Sequence, residues 1–181
     1  MVDGAQAVVL CEGLQDWVFV RRTLMTLGYD ARRIRVLPYP HDGQGAGEQH
    51  VREQYAREVR SHRSRAARMK TALVVHTDAD TKAVQERYES LERQLDGAGL
   101  APRDAHETIA VLIPKRNTET WIRFLDGHTV DEVTPCPKFT GHESDTWRAA
   151  ETFAVHVKNA TSPAQAPPSL LRGIQESRRI L

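Results

Sequence analysis

Glu12 follows the apolar run Ala5-Gln-Ala-Val-Val-Leu-Cys11, and Asp78 and Asp80 follow a second, Thr71-Ala-Leu-Val-Val-His-Thr77. Short apolar runs of this kind predict buried strands, so each carboxylate is expected at a strand end. With the first strand central and the other beside it, Glu12, Asp78 and Asp80 converge. Like charges so close repel, and a cation between them removes the repulsion. A set of oxygen donors, with no His or Cys expected beside it, suits Mg²⁺ or Mn²⁺ better than Zn²⁺. The chemistry that fits such a centre is phosphodiester cleavage, in which metal polarises the phosphate, generates hydroxide and stabilises the leaving oxygen. Each residue taken singly has a plainer use. Glu12 could cap the helix after it, and Asp78 or Asp80 the helix near Thr81.

The elements that must position these residues follow from periodicity. After Glu12-Gly13, the residues Trp17, Val20, Leu24 and Leu27 recur at helical spacing up to Gly28, a C-cap signal. Ile34 to Pro38 predicts a second strand. His41-Asp-Gly-Gln-Gly-Ala-Gly47 predicts a loop before a long polar helix from about Glu48 to Lys70. A helix with Val84, Tyr88, Leu91 and Leu95 on one face follows the second acidic run. Thr108 to Ile113 predicts a fourth strand, halted by Pro114, and Thr118 to Leu125 the next helix. Strands alternating with helices predict an α/β fold, three-layer α/β/α, with a four-stranded, mainly parallel sheet. Right-handed crossovers then gather the strand C-termini on one edge, where open α/β sheets build their sites.

The alternation stops near residue 127. Residues 1–127 are therefore read as the catalytic domain, and 128–181 as a loop and helical C-terminal extension that packs on it or docks a partner. That extension holds a candidate helix over Glu143 to Val157, a Pro/Ala-rich stretch from Ser162 to Pro168, and a helix from Ser169 to Leu181.

The chain has 181 residues, enough for one domain of ordinary size with a real core. Its 25 Lys and Arg nearly cancel its 24 Asp and Glu, leaving +1, which argues against a protein that binds nucleic acid or membrane by bulk charge. No run approaches the ~20 apolar residues of a membrane helix. The N-terminal apolar run follows Asp3 rather than basic residues, unlike a secretory signal. Cys11 and Cys136 are far apart and outside any CxxC, so the expected compartment is a reducing cytoplasm. Cys11 itself reads as buried core.

Glu12-Gly13-x-x-Asp16 after the first strand, with Asp78-x-Asp80 after the third, resembles the Toprim domain of topoisomerases, DnaG-type primases and the overcoming-lysogenization-defect nucleases. The resemblance covers roughly residues 5 to 125. It implies that Asp78 and Asp80, with Glu12, hold Mg²⁺ or Mn²⁺, and that Glu12 also serves acid/base catalysis. Where topoisomerase and primase members often have Gly soon after the DxD, this chain has Thr81-Lys82. It also lacks a separate cleavage domain with a nucleophilic Tyr, zinc fingers and a primase helical module. Ile113-Pro-Lys-Arg-Asn-Thr-Glu119-Thr-Trp121 looks like the Pro…Glu-x-Trp stretch of small stand-alone Toprim proteins of the nuclease branch. The metal set implied is therefore Glu12, Asp16, Asp78, Asp80 and Glu119, although Glu119 also suits the first turn of a helix by charge alone. Trp121 reads as core. Relatives in that branch often work beside an ATPase, so an ATPase partner in trans, in a system such as phage defence, is the implied context.

Phosphate could be held in several places. Lys115 and Arg116 are expected on the same edge, where they could clamp the scissile group. Arg52, Arg57, Arg60, Arg63, Arg65, Arg68 and Lys70 crowd one helix and its end, opposed there by Glu53 and Glu58. Such a run is either a solvated face or a track for a phosphate backbone, with Arg52, Arg60 and Arg63 as the candidate contacts. The Gly43–Gly47 loop lacks the Lys-Ser/Thr of a Walker A motif, so the chain is not itself a P-loop ATPase. The function expected is a metal-dependent nuclease acting on nucleic acid, DNA before RNA. A non-catalytic Toprim-like binding or regulatory subunit is the alternative. Asp78-Ala-Asp80-Thr81 also fits the DxDxT of haloacid-dehalogenase phosphatases. That family, however, carries the motif on its first strand and needs a further acidic pair, and neither condition holds.

Overall fold

The computed structural model describes residues 6–40, 47–138 and 143–181. Four strands, β1 (Gln6–Leu10), β2 (Ile34–Val36), β3 (Thr71–His76) and β4 (Ile109–Leu112), form one sheet in the order β2-β1-β3-β4. Every pairing is parallel, so the mainly parallel sheet expected from the sequence is parallel throughout. The helices are α1 (Leu14–Leu27), α2 (Gly47–Ala66), α3 (Val84–Gly97), α4 (Thr118–Leu125), α5 (Glu143–Asn159) and α6 (Pro168–Ser177). The Gly43–Gly47 loop lies outside the described residues except for Gly47, which opens α2.

Alternation along the strands sorts the core into two faces. Ala7, Val9 and Cys11, with Ala72, Val74, Ala110 and Leu112, face α1, α4, α5 and α6. Val8 and Leu10, with Leu73, Val75, Ile109 and Val111, face α2 and α3. Helices thus cover both sides of the sheet. Both central strands are apolar on each face, and that explains why they read as continuous hydrophobic runs rather than alternating ones.

α1 ends where Gly28 adopts φ 107°, a left-handed conformation cheap only for glycine, and its N–H returns to the Leu24 and Met25 carbonyls. Cys11 is buried as expected, and burial pushes its thiol pKa up, away from reactivity. No helix among the described residues is long and apolar enough to cross a membrane.

The C-terminal helices share this core. Phe153 of α5 lies against Phe19 of α1 and stacks on Trp121 of α4, with ring centroids 5.4 and 5.8 Å apart. Glu176 of α6 accepts from the Val111 backbone N–H at 3.0 Å and from Arg103 at 2.7 Å. β4 is an edge strand, so Glu176 satisfies a donor that would otherwise be left without a ladder partner.

Gly173 of α6 lets that helix close on Trp121. A Cβ there would stand 2.3 Å from the indole Cη2 of a fully buried ring. Gly173→Val is therefore expected to lower stability by at least the ~1–3 kcal/mol typical of core overpacking. Chemical denaturation followed by Trp fluorescence measures this, and an unchanged midpoint would contradict the packing described.

Candidate metal centre

The register of β1 on β3 brings the two acidic strand ends together. Leu10 pairs with Val75, so two residues on Glu12 stands level with Thr77. The Glu12 carboxylate accepts a short hydrogen bond from Thr77 Oγ1 and another from the Asp78 backbone N–H at 2.8 Å. It does not cap α1, whose N-cap is Gly13 with no side-chain bond. Nor do Asp78 and Asp80 cap α3, which starts at Val84 after Ala83, where the Ala83 N–H donates to Glu86 at 2.8 Å. The capping uses open to these residues from sequence are not the ones the fold employs.

The segment carrying Asp78 and Asp80 is strapped down by its backbone. Thr77 N–H donates to the Leu112 carbonyl at 3.1 Å and Ala79 N–H to the Pro114 carbonyl at 2.9 Å, tying the segment to the end of β4. Arg87 of α3, almost wholly buried, donates to the Asp78 carbonyl at 3.1 Å. Its other nitrogens form an ion pair with Glu48 of α2 and stand 4.0 Å from Asp80. Asp80 sits at φ 53°, a left-handed conformation that Asp tolerates better than most residues. Its side chain is exposed to solvent.

Asp16 comes from the first turn of α1 and is buried, its Oδ1 accepting from Thr118 Oγ1 of α4 at 2.5 Å. Glu119, the next residue on α4, is also buried. The charges of Asp16, Glu12, Glu119 and Asp80 all act on Asp78. The residues picked from sequence as metal ligands are thus gathered around one carboxylate. Burial, followed by those charges, holds the Asp78 pKa well above its ordinary value. Glu12 is raised from 4.5 to about 7, chiefly by burial and further by Asp16, against the lowering effect of its hydrogen bonds.

One expectation is corrected here. The sequence reading assumed no histidine beside the carboxylates, yet His76, fully buried at the end of β3, joins them. One donor atom each from Asp16, His76 and Asp78 lie within 4.8 Å of one another, a group that could hold a metal ion. Alternation along β3 was the available signal, because residues 74, 76 and 78 share a face. Burial lowers the His76 pKa despite the nearby Asp16, so their approach is not an ion pair. Arg87, Thr77 and Thr118 were missed as well. Nothing in their spacing marks a hydroxyl that orients a carboxylate, or an Arg folded inward.

The basic candidates separate into two groups. Lys115 and Arg116, after β4, reach over the acidic segment, with Lys115 Nζ donating to the Lys82 carbonyl and Arg116 to the Asp80 carbonyl at 3.1 Å. Arg52 lies in the first half of α2, whose first residue, Gly47, touches Glu12, and it pairs with Glu48 at 3.3 Å. Arg60 and Arg63 lie near the other end of α2, toward the start of β3. Arg60 donates to the Ala98 carbonyl at 3.2 Å. Arg63 is held by Glu107 at 2.5 Å and by the Ala101 and Pro102 carbonyls. The fold brings Lys115 and Arg116 to the backbone of the segment that carries Asp78 and Asp80 and uses Arg63 to fasten the segment before β4. Trp121 is core, fully buried, its indole N–H donating to Ser169 at 2.8 Å.

The chain matches no protein-family model, no curated protein and no solved structure.

Proposed function

We propose that this chain is a divalent-cation-dependent nuclease of Toprim type, hydrolysing phosphodiester bonds of nucleic acid at the C-terminal edge of its sheet. The observation that carries the reading is the meeting of two strand ends: Glu12 after β1 accepts a hydrogen bond from the Asp78 backbone after β3. Four further acidic or basic side chains chosen from the same motifs, Asp16, Asp80, Lys115 and Arg116, lie around that junction. Metal-free, buried Asp16 and Glu119 beside the half-buried Glu12 and Asp78 are costly, which is what a fold organised to receive a cation accepts.

A bound divalent cation supplies charge to polarise the phosphate and to lower the pKa of water. The residues do the rest. Asp78 and Asp80, with Asp16 and Glu119, supply oxygen donors. Glu12, with a pKa near neutrality, is suited to taking a proton from the attacking water or giving one to the leaving oxygen. Lys115 and Arg116 would turn from backbone carbonyls to the phosphate. An ATPase acting in trans remains part of this proposal, as the resemblance implies.

Incubating the protein with plasmid and with single-stranded oligonucleotides in Mg²⁺ or Mn²⁺ tests the reading. Cleavage is expected, and EDTA should abolish it. Asp80→Ala, an exposed change that leaves the core alone, should reduce the rate by about 10²-fold or more, the scale of losing one transition-state-stabilising group. Cleavage unaffected by Asp80→Ala would overturn the assignment. Cation binding with no cleavage of any substrate would favour a non-catalytic nucleic-acid-binding unit instead.

A further inference from the structure

His76 is an odd residue to find where it is. It is fully buried, and among the described residues neither of its ring nitrogens has a hydrogen-bond partner. An imidazole so placed forfeits its hydrogen bonds with water and gains none in return. The atom beside it that could have satisfied it does not. Nδ1 faces Asp16 Oδ1 at 3.6 Å, beyond hydrogen-bonding distance, while that oxygen accepts from Thr118 instead. Asp78 Oδ1 is buried and likewise without a partner. His76 and Asp78 thus each keep a buried donor atom with no partner, beside an Asp16 carboxylate whose one oxygen is held by Thr118.

The spacing is close to that of ligands sharing an ion. Donors held at roughly 2.0–2.2 Å from one metal stand about 3 Å apart when adjacent and just over 4 Å when opposed. The 3.6 Å between Nδ1 and Oδ1 falls inside that range, while the set with Asp78, within 4.8 Å, must draw in by about half an ångström to share one ion. Thr118 holds the Asp16 carboxylate through the same Oδ1 that faces His76, an outer hydrogen bond of the kind that orients metal ligands.

We propose that His76 Nδ1 is a metal ligand alongside Asp16 and Asp78, and that this nitrogen makes the centre select a first-row transition dication over Mg²⁺. Imidazole adds little for Mg²⁺, a hard ion that keeps oxygen ligands and its own water, whereas transition dications accept nitrogen readily. Asp80, exposed at the rim, and Glu12 lie outside this triad, Asp80 to add an oxygen to the same ion from the solvent side and Glu12 to move protons. The inference rests on the metal-centre reading above and sharpens which ion the centre takes.

Mn²⁺ is the probe, because pulsed electron paramagnetic resonance detects nitrogen bonded to it. Wild-type protein titrated with Mn²⁺ is expected to show ¹⁴N modulation that changes to the ¹⁵N pattern when only histidine is ¹⁵N-labelled. His76→Gln should lose the modulation and bind Mn²⁺ about 10–100-fold more weakly. A tenfold excess of Mg²⁺ over Mn²⁺, on the order of the selectivity in question, should leave the wild-type spectrum intact. The isotope experiment needs no variant, so a poorly folding His76→Gln does not blunt the test. Mn²⁺ bound through oxygen alone, with cation-dependent cleavage preserved, would overturn the His76 assignment and leave the nuclease reading standing. A nitrogen signal that persists in folded His76→Gln would overturn it too. Protein that binds no Mn²⁺ would overturn both.

Discussion

Asp78→Asn is expected to abolish cation-dependent cleavage and, without cation, to make the protein more stable at pH 8. The two effects have one cause. Asp78 is buried among Asp16, Glu12, Glu119 and Asp80, so its charged form is disfavoured in the folded chain and not in the unfolded one. Glu12 shares the penalty, its pKa moving from 4.5 to about 7. An acid whose folded pKa lies above its unfolded pKa binds more protons when folded. Its contribution to stability is therefore best below pH 4.5, declines as pH rises toward 7, and stays at its lowest above that. For Glu12 the full loss is roughly 3 kcal/mol. Asn at position 78 removes one charge and offers an N–H₂ to the remaining carboxylates. A gain in stability follows, read as a rise in melting temperature at roughly 2–4 °C per kcal/mol for a domain of this size. Melting in EDTA at pH 8 and pH 5 checks it. The variant should melt higher at pH 8, with the advantage shrinking at pH 5. Added Mn²⁺ should raise the wild type and not the variant. A variant less stable than wild type at pH 8 in EDTA would show that Asp78 is not held against its charge.

This tension between stability and site was partly readable beforehand. Glu12, Asp78 and Asp80 announced themselves because each directly follows a buried apolar run, and a parallel sheet places all such endings on one edge. β1 and β3 were legible for the same reason, both faces being covered and both strands therefore uniformly apolar. What could not be read was anything set by registry between distant segments. Thr118 orienting Asp16 spans 102 residues, and Thr77 facing Glu12 spans 65. Arg87 gave no sign of turning inward, because a charged residue on a helix is exposed by default, and its partners, Glu48, Asp80 and the Asp78 carbonyl, come from distant segments or from the loop before its helix. The arginine run on α2 was legible as a run but not in its placement. Sequence spacing gathers its residues, but the antiparallel course of the helix against the strands spreads them along the sheet, leaving Arg63 tied to Glu107.

Residues 143–181 form the other segment whose role depends on distant partners, and removing them is expected to prevent folding. The strand–helix alternation ends near residue 127, but the face of the sheet behind β1, β3 and β4 is closed by α5 and α6 together with α1 and α4. Deleting them would uncover Phe19, Leu24 and Trp121, and would take away Phe153, Leu170 and Ile174, all but fully buried. Burial of side chains this large is worth ~1.5–3 kcal/mol each, so losing even four matches the ~5–15 kcal/mol that holds an ordinary domain together. Tyr29 Oη would lose the Ile180 carbonyl, 2.7 Å away, and Trp121 Nε1 the Ser169 hydroxyl, leaving two donors without partners on an exposed apolar surface. The β4 edge would lose Glu176, and a bare edge beside an apolar face invites aggregation. A chain ending at residue 142 should therefore be insoluble, or should bind an apolar dye without a cooperative melt. A soluble, cooperatively melting truncation that still bound Mn²⁺ would instead make α5 and α6 a separable layer. The carboxylates depend on the helices indirectly. Asp16 stands on α1, Thr118 on α4, and the ring cluster of Phe19, edge-on to the stacked Trp121 and Phe153, joins those two helices to α5. The candidate metal centre is held in register by a core face of which a third comes from beyond the strands that carry it.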